Sequence, residues 1–102
     1  KNSHPSGPLE WYYENGQLEY KGIYNDGKQY GGFVSYHPNG QLETKGIWNN
    51  GQRYGPFGKF YKNGNLKEKG TYKDDKKDGL WKYFNEDGSL QRTETWIDGV
   101  KQ

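Results

Sequence analysis

Aromatic and aliphatic residues recur along this chain with a period of 24 positions, and no gap is needed to align the copies. The four copies, each opening on glycine, are residues 7–30, 31–54, 55–78 and 79–102. A period of this length is typical of arrays of small supersecondary units that bury their apolar faces by stacking on their neighbours. The pattern predicts a single repeat domain over residues 7–102, and residues 1–6 are expected to be a flexible leader.

Three positions of each copy carry a large apolar side chain throughout: an aromatic residue at the sixth, Leu at the twelfth, and Tyr or Trp at the eighteenth. These columns are the predicted structural core, formed by Tyr12, Leu18, Tyr24, Tyr36, Leu42, Trp48, Phe60, Leu66, Tyr72, Phe84, Leu90 and Trp96. A turn between the sixth and twelfth positions contains Gly16, Gly40, Gly64 or Gly88, and an Asn- or Asp-rich turn follows the eighteenth. Because such turns between short aromatic runs are strong hairpin signals, we predict an all-β fold, an antiparallel meander of about eight short strands in an elongated, twisted single sheet.

The type of the first turn determines which columns share a face of the sheet. Pro38 precedes Gly40 by two residues and suits the first central position of a type I turn, so Gly40 is predicted to be left-handed in a bulged three-residue loop. This register places positions six, twelve and eighteen on one face, with large rings leaning over the glycines at position sixteen. Position three, which includes Phe33, is expected on the opposite face. The sheet is then either a ribbon wet on both sides or coiled enough to enclose its aromatic face.

Composition favours a thin, ordered sheet rather than disorder. Leu, Ile, Val and Phe together number 15 and Ala is absent, but the chain has ten Tyr, four Trp and four Phe. Such rings can bury ~150–250 Å² each while keeping a polar edge in water. The fourth copy departs from the others at Thr93, Glu94 and Ile97, as expected of a capping repeat.

The distribution of charge along the chain bears on the class of partner but does not identify one. The formal net charge is +2, and the third copy is the most basic, with seven lysines against four carboxylates. That block is either a solvated surface or a docking patch for an acidic partner. Because its lysines alternate with carboxylates, nucleic acid is not an expected partner.

The chain has no Cys, which excludes disulfides and thiolate zinc sites, and no apolar run approaches the ~20 residues of a membrane-spanning helix.

No catalytic or metal-binding constellation is recognisable. His4 and His37 have no second ligand at metal-binding spacing. Asp74, Asp75 and Asp78 are interleaved with lysines and do not match a calcium loop. No serine lies in a nucleophile elbow. We therefore expect a protein that is not an enzyme and needs no cofactor.

Several aromatic residues fall outside the predicted core columns and form the predicted partner-binding set together with a column of lysines. The set comprises Trp11, Tyr13, Tyr61, Tyr83, Lys21, Lys45 and Lys69. Tyr and Trp dominate binding hot spots because they bury much area for little rotamer freedom. The alternative is that these rings pair across strands and shield the backbone of a thin sheet.

Three segments carry a resemblance to a known family. The strings Tyr12–Gly22, Phe60–Gly70 and Tyr72–Trp81, with paired aromatics, Asn-Gly, Leu and Lys-Gly, closely resemble the variant form of the MORN repeat. The resemblance implies one hairpin per repeat and a bacterial source. Many bacterial proteins with this variant are labelled as antitoxins of toxin–antitoxin pairs, and others are exported or associated with the envelope. The lipid-binding features of the eukaryotic relatives are not present in this chain.

The functional hypothesis is a non-enzymatic module for protein–protein interaction, in its sharpest form an antitoxin-like neutraliser of a toxin. The alternative is a structural or adhesive element of an exported or envelope-associated bacterial protein. A third is carbohydrate or cell-wall binding, since Gly79–Phe84 echoes choline-binding repeats, whose period is shorter. The antitoxin hypothesis implies a cytoplasmic location, and a processed fragment implies export. Self-association through the unpaired edges of the outer strands is a further alternative.

Overall fold

The computed structural model describes residues 6–102, which form one antiparallel sheet. Its strands are β1 (Gly7–Tyr12), β2 (Leu18–Asn25), β3 (Lys28–Gln29), β4 (Gly31–Tyr36), β5 (Leu42–Asn49), β6 (Gln52–Arg53), β7 (Gly55–Phe60), β8 (Leu66–Lys73), β9 (Lys76–Phe84), β10 (Leu90–Ile97) and β11 (Val100–Lys101). The order in the sheet is β1-β2-β4-β5-β7-β8-β9-β10-β11, and the two-residue strands β3 and β6 pair with β2 and β5. The predicted all-β antiparallel meander is confirmed.

The sheet is a single layer, with principal extents of 49 × 36 × 14 Å. Most of the predicted leader, residues 1–5 with His4, lies outside the described residues. Ser6 is described, and its Oγ accepts a hydrogen bond of 2.9 Å from the backbone N–H of Asp26. This bond connects the residue before β1 to the first Asn-Asp-Gly turn.

The first turn of each repeat is the predicted three-residue loop. In the first repeat, the Tyr13 N–H donates to the Gln17 carbonyl and the Gly16 N–H donates to the Tyr13 carbonyl, both at 2.9 Å. Gly16 has φ of 88°, and its counterparts in the other repeats have φ between 90° and 95°. Since this left-handed conformation is unstrained only for glycine, the invariant glycine of the loop is explained by backbone geometry.

The second turn is shorter and of a different type. Asn25 pairs with Lys28 across two residues, Asp26 and Gly27, whose φ angles are 54° and 85°. Two consecutive positive φ angles define a type I′ turn, which favours Asn, Asp and Gly because their side chains tolerate this region. After this turn, the two-residue strand β3 leads into β4 of the next repeat. The first residue of β4, Gly31, has φ of 86°.

An extra residue in each hairpin divides the apolar columns between the two faces of the sheet. In the first repeat, Tyr12 pairs with Leu18 but Trp11 pairs with Tyr20, so Glu19 has no partner and forms a bulge. The same bulge occurs in the other repeats at Glu43, Lys67 and Gln91. One inserted residue moves every side chain beyond it to the other face. The prediction that positions six, twelve and eighteen share a face is therefore wrong.

The third repeat shows this division directly. The position that a side chain would occupy at Gly58 is 3.7 Å from Phe60 and 3.8 Å from Leu66, so these two residues share its face. The ring of Tyr72 instead packs edge-on against Phe57 and Trp81, with centroids 5.0 and 5.1 Å apart. Position eighteen thus lies with position three, and positions six and twelve lie opposite.

The core of the sheet is the ring face, defined by the buried residues Phe33, Phe57, Tyr72, Trp81 and Tyr83 with the partly buried Tyr20, Trp48 and Trp96. Rings cover the glycines at position sixteen, as predicted, but those over Gly46 and Gly70 come from position three and the ring over Gly22 is that of Tyr20. Of the predicted core, Tyr72 is buried, whereas Tyr12 and Leu90 are 57% and 55% exposed, which contradicts their assignment. The half-buried members are Leu18, Tyr24, Tyr36, Leu42, Trp48, Phe60, Leu66, Phe84 and Trp96.

Candidate binding surface

The residues predicted to bind a partner do not form one surface. Trp11 is 51% exposed at the edge of the ring face, where its ring packs 5.2 Å from that of Tyr20. The three predicted lysines are exposed on the opposite face, as the strand pairing given below requires. Tyr13 and Tyr61 lie beside the three-residue loops at one end of the hairpins. The sheet therefore separates Trp11 from the predicted lysines, and Tyr13 and Tyr61 lie at the loop end of the hairpins.

Tyr83 belongs to the core and not to an open patch, which corrects its predicted role. Its side chain accepts a 2.8 Å hydrogen bond from Lys77 Nζ, and the Arg92 guanidinium lies 4.1 Å from its ring centroid. Burial and the neighbouring Glu94 carboxylate raise the pKa of the Tyr83 hydroxyl to about 12. The residue is only 8% exposed, so it has little surface to offer a partner.

Tyr13 and Tyr61 link one repeat to the next. The Tyr13 hydroxyl donates to the Tyr36 carbonyl at 2.7 Å, and the Tyr61 hydroxyl donates to the Phe84 carbonyl at 2.8 Å. His37 occupies the same position in the second repeat, with Nε2 2.9 Å from the Phe60 carbonyl oxygen. These half-buried side chains donate hydrogen bonds that join neighbouring repeats.

A second ladder runs through the Asn of each three-residue loop. Asn39 Oδ1 accepts from the Gln41 N–H at 2.9 Å, and Asn39 Nδ2 donates to the Lys62 carbonyl of the next repeat at 3.0 Å. Asn15 and Asn63 bond in the same way. One amide side chain thus closes its own turn and holds the neighbouring turn, which requires both its oxygen and its NH₂ group.

The opposite face carries a straight row of lysines. Lys21 pairs with Val34, which pairs with Lys45; Lys45 pairs with Gly58, which pairs with Lys69. Lys69 in turn pairs with Lys82 in β9. Directly paired residues share a face, so these side chains emerge together. Adjacent repeats place their lysines about 9–10 Å apart, which is two strand spacings. We call this surface the lysine face.

Apolar residues flank the lysine row on both sides. Toward the type I′ turns they are Pro8, Ile23, Ile47, Pro56 and Leu80, and toward the three-residue loops they are Tyr12, Leu18, Tyr36, Leu42, Phe60 and Leu66. Ile23 and Leu80 are 47% and 53% exposed. Gly32 and Gly58 lie between these side chains and leave the backbone uncovered.

The uncovered backbone forms a shallow furrow across the first three repeats. One depression of about 430 Å³ is lined by Pro8, Lys21, Ile23, Gly32, Phe33, Val34, Lys45, Gly46 and Ile47. A second of about 570 Å³ shares Lys45, Gly46 and Ile47 with the first and extends to Phe60, Leu66 and Lys69. The two depressions therefore adjoin at Lys45, Gly46 and Ile47.

The lysines of this face are not neutralised by the protein itself. Within residues 6–102, none of Lys21, Lys45, Lys69 and Lys82 takes part in an ion pair. In the lysine row the only carboxylate is Glu10, directly opposite Lys21. The face therefore combines exposed apolar area with uncompensated positive charge.

The comparisons with known proteins agree with the repeat geometry. The family model described as MORN repeat variant matches residues 5–26, 31–50, 53–74 and 77–98, which is most of the chain. The chain belongs to the MORN repeat variant family. No curated protein matches it. MORN repeats are known as non-catalytic modules that mediate interactions with proteins and membranes.

Arg53 and Lys77, on the other side of this MORN repeat sheet, contact acidic or aromatic side chains, unlike the lysines of the lysine face. Arg53 Nε lies 2.7 Å from Asp75 Oδ1 and its guanidinium lies 4.3 Å from the Tyr72 ring centroid. This contact holds the pKa of the Asp75 carboxyl below its ordinary value. Lys77 Nζ lies within 4.7–5.3 Å of the rings of Trp81, Tyr83 and Trp96.

The last MORN repeat replaces the glycine of position sixteen by Glu94. Its carboxylate accepts from Arg92 Nε at 3.1 Å and from Trp96 Nε1 at 3.2 Å, and lies 3.4 Å from Lys101 Nζ. Desolvation acts against the charged form, but bonds from Arg92, Tyr83, Lys101 and Trp96 together lower the Glu94 pKa to about 2. A polar network thus occupies the place that a ring fills over the other glycines.

Two absences concern only the part of the chain that the structure describes. Within residues 6–102, no three His, Asp or Glu side chains are grouped so as to hold a metal ion. Over the same residues, no helix is long and apolar enough to cross a membrane.

Sequence reasoning missed two features of this MORN repeat surface. The apolar column at position three is as regular as the columns chosen for the core, but its face depends on the bulge, for which the sequence has no clear signal. Lys82 lies at position four, where the other repeats have Glu10, Val34 and Gly58, so no column revealed it. Only strand pairing joins it to the lysine row.

Proposed function

We propose that this chain is a non-enzymatic binding module that holds a protein partner on its lysine face. The observation that carries the proposal is the row of four unpaired lysines between two rows of partly exposed apolar side chains. An apolar surface supplies affinity and unpaired charge supplies orientation and specificity. The ring face is a weaker candidate because its aromatic residues are largely buried against one another.

The arrangement of the rings also argues against carbohydrate binding as the main function. Sugar recognition by stacking needs open ring faces, but Tyr20 stacks on Phe33 at an interplanar angle of 25°, and Phe33 is only 7% exposed. The buried rings of Phe33, Phe57 and Trp81 therefore offer no open face to a sugar. The lysine face has both the apolar area and the charge that a protein partner can use.

The more specific form of the proposal is that the partner is a toxin whose active surface is covered on binding. The resemblance to bacterial antitoxin-associated repeats suggests this partner, and a sheet with extents of 49 × 36 Å offers an area suited to covering rather than to enclosing a ligand. If the bound partner inhibits growth when it is expressed alone, co-expression of the chain with that partner should restore growth. Unchanged inhibition would exclude toxin neutralisation while leaving protein binding intact.

The test of the general proposal compares two charge-matched variants. The row variant carries Lys21→Gln, Lys45→Gln and Lys69→Gln, and the control variant carries Lys28→Gln, Lys62→Gln and Lys73→Gln at exposed positions in or beside turns. Proteins from the organism that encodes the chain are captured on each form, and a captured protein is then purified for direct binding measurements. We expect the row variant to lose about tenfold in affinity, because three exposed ion pairs each contribute a few tenths to 1 kcal/mol.

The control variant should bind like the unaltered protein. Equal losses in both variants would mean that only net charge matters. Equal binding by all three forms would mean that the partner uses another surface. Either result would overturn the proposal.

A further inference from the structure

We propose that the segment held on the lysine face is an amphipathic α-helix that crosses the strands and carries an acidic residue at every seventh position. The inference rests on the proposed function and names the chemistry of its partner. It follows from the spacing of the lysine row, the backbone requirements of a bound segment and the two flanking apolar rows.

The spacing of the lysines matches a helical repeat. Lys21 and Lys45 are separated by the single strand that carries Val34, and Lys45 and Lys69 by the strand that carries Gly58. Two strand spacings amount to about 9–10 Å. Seven residues of an α-helix rise about 10.5 Å, so carboxylates one heptad apart fall opposite successive lysines. The long lysine side chains absorb the remaining difference.

The backbone of the bound segment favours a helix over an extended chain. A segment that crosses the middle of the lysine face meets side chains, because the backbone groups of β2, β4, β5, β7 and β8 are engaged in the pairing of neighbouring strands. An extended segment there would find no row of N–H and C=O partners in the sheet. A helix satisfies its own backbone groups, and so it can be pressed against an apolar surface at no hydrogen-bonding cost.

The two apolar rows define the rest of the pattern. With the acidic residue of each heptad over the lysine row, the residues three and four positions later flank it and should be apolar. They would meet Ile23 and Ile47 on one side and Phe60 and Leu66 on the other. The furrow over Gly32 and Gly58 leaves room for such side chains, since a Cβ at Gly32 would meet only one backbone oxygen, at 4.0 Å.

The length of the helix follows from the length of the row. From Lys21 to Lys69 the row crosses four strand spacings, or about 19 Å. A helix of about 15–18 residues covers this distance with one acidic residue over each of the three lysines. The sheet is only 14 Å in its thinnest dimension, so a straight rod can follow the row.

The experiment uses a labelled synthetic peptide of about 18 residues with Glu at every seventh position and Leu three and four residues after each Glu. A second peptide has Gln in place of Glu, and a third has Lys. Fluorescence anisotropy measures binding to the whole protein, the row variant and the control variant, and circular dichroism follows the helicity of the peptide. Near-identical dichroism spectra of the three proteins show that the variants are folded.

We expect the Glu peptide to bind and gain helicity, the Gln peptide to bind about tenfold more weakly, and the Lys peptide to show no binding. The row variant should lose the preference for Glu over Gln, whereas the control variant should keep it. Binding of the Glu peptide should weaken as salt is raised, because exposed charges are screened.

Three results would overturn the inference. They are equal binding of the Glu and Gln peptides, equal effects of the two lysine variants, and binding of the peptide without helix formation. A fourth arm uses vesicles of phosphatidylcholine with phosphatidylserine. Vesicle binding that depends on the lysine row, without peptide binding, would identify an anionic lipid surface as the ligand and also overturn the helix.

The peptide result can be separated from the proposed function. If the captured protein depends on Lys21, Lys45 and Lys69 but the Glu peptide does not bind, the lysine face is the binding surface and the helical partner is wrong. If neither depends on these lysines, both the inference and the proposed function fall.

Discussion

The indole ring of Trp81 lies directly over the bare backbone of Gly70 in the neighbouring strand. A Cβ atom at Gly70 would lie well inside 3.0 Å of the ring, a distance that real Cβ atoms essentially never show. Trp81 is the one fully buried large side chain among residues 6–102, and its Nε1 donates to the Thr71 carbonyl at 3.1 Å. The absence of a side chain at Gly70 is what allows a single-layer sheet to bury an entire tryptophan.

Gly70→Ala should therefore destabilise the protein by ~2–3 kcal/mol, because the added methyl group forces the indole or the strand to move in a close-packed region. Urea unfolding followed by tryptophan fluorescence measures the change. Gly58→Ala is the matched control: its added methyl group would meet Phe60 and Leu66 at ordinary contact distances of 3.7–3.8 Å. A loss at Gly58 as large as that at Gly70 would contradict this account of the core.

The division of the aromatic columns predicts opposite outcomes for two aromatic truncations. Phe57→Ala removes a buried ring that contacts Tyr72 and Trp81, and it should cost about 3–5 kcal/mol. Tyr12→Ala removes a ring that is 57% exposed, and it should cost less than about 1 kcal/mol. Unfolding midpoints in urea compare the two. Similar losses would restore the original assignment of position six to the core.

The two hydrogen bonds of the Asn39 side chain can be tested separately, because Asn39→Asp replaces only the NH₂ group. Asn39→Asp keeps the oxygen that caps Gln41 but removes the NH₂ group that donates to the Lys62 carbonyl. We expect a loss of about 0.5–1.5 kcal/mol, the usual contribution of one hydrogen bond. Asn39→Ala removes both bonds and should lose more. If Asn39→Asp has the same thermal midpoint as the unaltered protein, the bond between the repeats contributes nothing.

The Glu94 network predicts a loss of stability in acid. Since the folded pKa of about 2 is below the ordinary value of 4.5, the folded state favours the carboxylate. The stabilisation is present above the unfolded pKa and is lost as pH falls from about 4.5 toward about 2. Thermal midpoints across this range should fall less steeply in Glu94→Gln than in the unaltered protein.

Glu86→Gln is the control for that measurement, because Glu86 is exposed and its side chain forms no ion pair within residues 6–102. It should leave the slope against pH nearly unchanged. An equal reduction of the slope in both variants would mean that general charge repulsion, and not the bonds to Glu94, governs acid stability.

Much of the fold could be read from the repeat pattern because it depends on short-range geometry. Gly40 follows Pro38 in a loop that needs a left-handed residue, and glycine meets that need at little cost. The antiparallel order and the three-residue loops follow from such local preferences. The sheet has eleven strands rather than the predicted eight, because the two-residue strands β3, β6 and β11 follow the second turns. The bulge at Glu43 is different, since exposed strand positions accept Glu, Lys or Gln with or without a bulge, and so the residue type carries no signal.

The candidate surface was less predictable for the same reason. The lysine column was visible as Lys21, Lys45 and Lys69, but its neighbours could not be known until the bulge had assigned each column to a face. Tyr83 was expected to be open because it repeats in no column. It is buried because Trp81, Lys77 and Arg92 come from neighbouring positions in the sheet and close around it.

The order of residues along the chain was sufficient for the hairpin unit, its repetition and its turns, because each depends on the backbone preferences of a few adjacent residues. The assembled sheet alone determined which side each column occupies and which charges stay unpaired. Those properties depend on pairing between strands, where one additional residue per hairpin exchanges the two faces and leaves the local preferences unchanged.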